Sequence, residues 1–101
     1  MAIRKLKVVI GQAAKKSLQE AYEYIRNDSS ENAERVKAKI LSSIKELINN
    51  PHRHNPDEYR LNNDGSYRAY EIYRYRITYH VSADEIRVIR IRHTRMNPLE
   101  Y

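Results

Sequence analysis

The sequence predicts an α+β domain in the order β-α-α-β-β-β, an antiparallel sheet with a two-helix hairpin packed on one of its faces. Three observations lead there. Residues 12–48 contain two stretches whose apolar positions recur at helical spacing, separated by four polar residues. Residues 67–92 contain three alternating stretches divided by short turns, the pattern of a meander. A chain of 101 residues has room for one domain, residues 1–101, around one modest core.

Each element has its own signal. The opening IRKLKVVI, residues 3–10, alternates and then turns fully apolar, as a first strand does, and Gly11 punctuates it. From Gln12 to Arg26, Ala14, Leu18, Ala21 and Ile25 form one stripe. Asn27-Asp28-Ser29-Ser30 is a turn whose Ser or Asp oxygen can accept the unpaired amides of the next helix. That helix is expected from Glu31 to Ile48, with Ala33, Val36, Ile40, Ile44 and Leu47 on its apolar side. Asn49-Asn50-Pro51 ends it, because proline disfavours helix in the residue before it.

A polar connector follows from His52 to Gly65, in which Tyr59 and Leu61 suggest a short strand. The strands Tyr67–Ile72, Tyr75–Val81 and Ile86–Arg92 come next, with Ser82–Glu85 as a hairpin turn. Alternation puts Tyr75, Ile77, Tyr79 and Val81 on one face. In the last strand it puts Ile86, Val88, Arg90 and Arg92 on one side and Arg87, Ile89, Ile91 and His93 on the other. Neither side of that strand is purely polar, which marks it as central in the sheet.

Composition narrows the function. The net charge is +6, which favours phosphate-rich or acidic partners. All seven lysines lie at or before Lys45, whereas nine of twelve arginines lie at or after Arg53, alongside seven of nine tyrosines. Arginine carries a planar fork suited to phosphate and stacks on rings and bases, so this enrichment points to an anionic target. There is no cysteine, hence neither a disulfide framework nor a thiolate metal site. Nothing approaches the roughly 18 apolar residues that a membrane span needs, and the N-terminus lacks a secretory pattern. A cytoplasmic protein is expected.

Arg68 shares a strand face with Tyr70 and Ile72, so its charge needs either a glutamate partner across the sheet or an anion to bind. Arg87, Arg90, Arg92 and Arg95 place four positive charges in nine residues with no acid among them. If two of these meet Arg68 across the sheet, their repulsion calls for a counter-anion. His93 stands at the strand end beside them, and an imidazole with an ordinary pKa near 6.5 suits proton transfer at neutral pH. His52 and His54 form an H-x-H pair without convergent ligands, so no metal is expected. With only Gly11 and Gly65 there is no glycine-rich phosphate loop, and no cofactor is expected.

The run YRAYEIYRYRITYHVSADEIRVIRIRHTR resembles the closing half of the RelE/ParE superfamily of bacterial type II toxins. There an Arg-led strand precedes a Tyr-Arg-Ile/Val-x-Tyr-x-Val strand, a hairpin, and an apolar strand ending in Arg-x-His. AYEYIRNDSSENAERVKAKILSSIKELINNP resembles the same superfamily's helical hairpin. The resemblance implies a growth-inhibiting toxin silenced by a cognate acidic antitoxin. Its RelE-like members cut messenger RNA on the ribosome, and its ParE-like members inhibit DNA gyrase without catalysis.

On the first reading, matched residue by residue, Arg68 and Arg90 or Arg92 would stabilise the phosphate under attack by a ribose hydroxyl. His93 would be acid or base, and Tyr101 would stack on a base or donate a proton. Arg53, Arg74, Arg76, Arg87 and Arg95 would be further contacts to the target. The chain departs from RelE-like enzymes in having no lysine after Lys45; His52, Arg53, His54 and Glu58 occupy the connector instead. The expectation carried forward is a metal-independent ribonuclease acting with the ribosome, with gyrase inhibition, or a simpler basic nucleic-acid-binding module, as the alternatives.

Overall fold

The structure, a computed structural model, describes residues 6–95. The elements are β1 (Lys7–Ile10), α1 (Gln12–Arg26), α2 (Ser30–Glu46), β2 (Tyr67–Ile72), β3 (Tyr75–Val81) and β4 (Glu85–His93). The α+β class and the element order are as the sequence predicts. Helix α1 has the predicted limits, and α2 starts one residue early and stops two residues short. Ser29 caps α2: its Oγ accepts the Asn32 amide at 3.1 Å, and Glu31 favours the positive end of the helix dipole.

The four strands are ordered β1-β4-β3-β2, so β4 is central. β2, β3 and β4 form the antiparallel meander, but β1 joins β4 in parallel, Lys7 beside Glu85 and Ile10 beside Val88. The sheet is therefore mixed. A parallel neighbour requires a long connection, and the helical hairpin, the connector and two strands supply one. Gly11 makes the turn from β1 into α1 possible: its amide donates to the Val88 carbonyl at 2.8 Å, and a Cβ there would stand 3.1 Å from that oxygen.

One face of the sheet carries Tyr75, Ile77, Tyr79, Ile86, Val88 and Ile91 into a core shared with Ala14, Leu18 and Ala21 of α1 and Ile40, Ile44 and Leu47 from α2 and its C-cap. Each fully buried aliphatic side chain here contributes roughly 1.5–3 kcal/mol. Tyr79 is fully buried at the centre and donates its hydroxyl to the Pro51 carbonyl at 2.8 Å.

The phase of β4 differs from strict alternation. Thr78 pairs with Arg90 but Tyr79 pairs with Val88, so Ile89 is an extra residue, a β-bulge. The bulge puts Ile91 and His93 on the helix side with Ile86 and Val88. Arg87, Arg90 and Arg92 fall on the far side. Sequence alternation grouped Arg90 and Arg92 with Ile86 and Val88; one inserted residue reverses that grouping.

The connector does not form the expected strand at Tyr59 and Leu61. It runs antiparallel beside β2 further upstream, with a bridge between Pro56 and Arg68 and flanking bonds from the Asp57 amide to the Tyr67 carbonyl and from the Ala69 amide to the Asn55 carbonyl. Asn63 ties the loop back: its Nδ2 donates to the Asp57 and Tyr67 carbonyls at 3.1 and 2.8 Å.

Candidate target-binding surfaces

The cations singled out by the sequence fall into three places. Arg68 lies on the helix side of the sheet, opposite Tyr79, under the connector. Its Nη1 donates to the carbonyls of His54 at 2.7 Å and His52 at 3.3 Å, and its buried Nε makes no hydrogen bond among the described residues. Neither the glutamate partner nor the exposed anion site expected for it is seen; the connector backbone solvates the charge. Beside it the His54 ring stacks on Tyr70, centroids 4.1 Å apart and planes 16° apart. Burial, and secondarily the Arg53 charge, hold the His54 pKa below its usual value. Burial pushes the Tyr70 phenol up to about 12 despite a 2.9 Å hydrogen bond with Ser43 Oγ, so it stays protonated at neutral pH.

The second place is the far face of the sheet. Cross-strand register sets Glu71, Arg76 and Arg92 in one row, Ala69, Thr78 and Arg90 in the next, and Tyr67, His80 and Arg87 in the third. Arg76 and Arg87 are bonded to carboxylates of the protein itself. Arg76 Nη2 reaches Asp57 Oδ1 at 2.7 Å, and the Asp57 side chain is only 1% exposed. The Arg76 guanidinium also stands 4.7 Å from the Tyr59 ring. Arg87 Nε meets Glu85 at 2.7 Å. Arg60 covers the Tyr67 ring at 3.9 Å, and Tyr67 in turn packs on His80 with centroids 4.4 Å apart. Arg90 and Arg92 are half-buried in this face.

The third place is the end of the molecule where β4 leaves the sheet. His93 pairs with Tyr75 on the helix side, with the two rings edge-to-face at 5.1 Å. Its Nδ1 accepts the Arg95 amide at 3.0 Å, which leaves the ring proton of the neutral imidazole on Nε2. Arg74, Arg92, Arg95, Glu20, Tyr24 and His93 line a cleft of about 740 Å³ between α1 and the end of β4, so Arg92 borders both the far face and this end. Arg53, by contrast, sits beyond α2, with Nη1 3.9 Å from the Glu46 carboxylate and both side chains largely exposed.

The sequence-predicted phosphate pocket is therefore not assembled among the described residues. Arg68 is on one face of the sheet, and Arg90 and Arg92 are on the other. His93 shares the Arg68 face, but it lies two strands across and four residues along, a separation on the order of 17 Å. Tyr101 lies outside the described residues. The bulge at Ile89 is what moves Arg90 and Arg92 away from Arg68. Sequence reading also missed Asp57, the buried anchor of Arg76, and Tyr24, an exposed ring in the cleft. Tyr24 had a signal: it is an aromatic residue off the apolar stripe of α1. Among the described residues no group of three or more His, Asp or Glu could hold a metal ion, and no helix is long and apolar enough to cross a membrane.

Comparison with known proteins adds two findings. A family model described as the ParE toxin of a type II toxin–antitoxin system, parDE, matches residues 8–98. Among solved structures, the chain is similar to one from the chromosomal ParDE toxin–antitoxin system from P. aeruginosa. Identity is 20%, the match covers 88% of this chain and 96% of that one, and the TM-score is 0.71. Among curated proteins no match was found.

Proposed function

The chain belongs to the ParE toxin family of type II toxin–antitoxin systems, and from that premise we propose that it arrests growth by binding DNA gyrase, without chemistry of its own. Cutting RNA through a ribose hydroxyl needs cations on the phosphate and an acid and a base within reach of it. The observation that favours binding over cutting is the separation of Arg68 from Arg90, Arg92 and His93, with the Arg68 guanidinium held by the connector carbonyls. An inhibitor that binds needs none of them to converge. A cationic surface spread over the far face suits an acidic protein partner, and a cognate acidic antitoxin would silence the toxin by covering the same ground. The cytoplasm is where gyrase and antitoxin would be met.

A supercoiling assay tests this. Purified protein added to bacterial gyrase and relaxed plasmid should block supercoiling and leave cleaved plasmid behind, and added antitoxin should restore activity. Full supercoiling in the presence of excess folded protein would overturn the reading.

A further inference from the structure

The turn between β2 and β3 has an unusual composition for its shape. It has two residues, Tyr73 and Arg74, and both have positive φ, 51° and 66°. A two-residue hairpin turn of this kind favours Asn-Gly, because side chains with a Cβ are strained there. Tyr73 and Arg74 are both exposed, Tyr73 at 48%, so no burial offsets the strain. The Arg74 carbonyl accepts the Thr94 amide at 2.8 Å, which fixes the turn against the segment that carries His93 and Arg95. Across the cleft, Tyr24 is 77% exposed. Among the described residues neither Arg74 nor Arg95 makes an ion pair, and Glu20 is the one carboxylate lining the cleft.

We infer that this end of the molecule binds single-stranded nucleic acid, with backbone phosphates at Arg74 and Arg95 and unpaired bases stacked on Tyr24 and Tyr73. Two cations without ion-pair partners among the described residues, with the exposed Tyr24 in the cleft and the exposed Tyr73 in the adjoining turn, are what a strand with accessible base faces requires. A duplex keeps its bases stacked and offers nothing to the tyrosines. An acidic peptide would satisfy the arginines but leave both rings uncovered. The strained turn supports the assignment, because strain is retained where a side chain is needed in an awkward position. For its place in the cell the inference rests on the DNA-processing target proposed above; the binding itself does not.

The experiment is fluorescence anisotropy of a labelled mixed-sequence DNA strand, about 12 nucleotides long as one site of this size would need, titrated with the whole chain at several salt concentrations. Wild type should bind, with log affinity falling against log salt at a slope of roughly −1.4 for two phosphates. The double substitution Tyr73→Asn, Arg74→Gly should raise the melting temperature by roughly 5 °C as the strain is relieved, and lower affinity about tenfold or more as one ring and one charge are lost. Arg95→Ala and Tyr24→Ala, which leave the turn intact, should each weaken binding several-fold without moving the melting temperature. Any of three results would overturn the inference: no binding by folded wild type, unchanged affinity in all these variants, or a duplex of the same sequence bound equally well. If the Asn-Gly variant loses gyrase inhibition while wild type ignores the strand, the surface is a protein contact and the inference fails. No gyrase is present in the binding assay, so failure there leaves the gyrase reading intact, and a failed supercoiling assay leaves the binding result intact.

Discussion

Asp57 and Arg76 show how a charge can be placed inside this small domain. The Asp57 carboxylate is almost completely buried, and it accepts both the Arg76 guanidinium at 2.7 Å and the Tyr59 amide at 3.0 Å. Replacing one partner strands the other. Asp57→Ala should destabilise the fold by about 3 kcal/mol, the usual cost of leaving one half of a buried pair, read as a lower urea midpoint. His54 makes a separate, pH-dependent contribution. Its folded pKa lies below the usual 6.5 because the stacked ring is half-buried, with the Arg53 charge a secondary cause, so the unfolded chain takes up a proton that the folded chain resists. Stability from this residue is fully present above pH 6.5 and is lost as pH falls through 6.5 toward the depressed folded value. Melts between about pH 7 and about pH 5 should show that slope, and His54→Phe, which keeps a ring against Tyr70, should flatten it. An unchanged slope would mean that other groups govern acid sensitivity. The Asp64 carboxyl, held low by hydrogen bonds from Ser66, acts in a separate window, its stability present above the usual 3.8 and lost as pH falls below it.

At the level of elements, the bulge at Ile89 decides where the charges go. Deleting Ile89 would remove the extra residue and give plain alternation while leaving Arg90 and Arg92 on the far side and Ile91 and His93 on the helix side, because Thr78 already faces Arg90 and Tyr79 faces Val88. No guanidinium enters the core, so the deletion variant should keep a cooperative thermal transition. Loss of that transition would show that the bulge is needed for more than the facing of these side chains. This is also where the sequence stopped being legible. Helix α1, the cap at Ser29, β2, β3 and the central position of β4 follow from apolar spacing and turn residues, which act locally. The bulge carries no local signature: Val88-Ile89-Arg90 reads as ordinary strand, and the core chooses the phase by burying Ile91. The parallel pairing of β1 is equally non-local, because the alternation of Lys7–Ile10 is indifferent to the direction of its neighbour. For the candidate site, the residue types were legible and their convergence was not. The absence of cysteine, and an arginine-rich stretch without lysine after Lys45, can be read from letters. The face on which each arginine emerges depends on one unpaired residue.

At the scale of the whole molecule, the domain offers three cationic surfaces, with Arg68 apart on the helix side and the far face meeting the β4 end at Arg92. Arg68 is the residue on which the two toxin mechanisms diverge most. In a ribonuclease it would touch the phosphate, and here it holds the connector to the sheet through the His52 and His54 carbonyls. The most direct measurement is primer extension on a message translated in a reconstituted system, with toxin added at the concentrations used in the supercoiling assay. Full-length message, with wild type and Arg68→Ala alike, is the predicted result. Discrete breaks within the ribosome-bound codons that disappear with Arg68→Ala would contradict it and return the chain to the RNA-cutting branch of its superfamily.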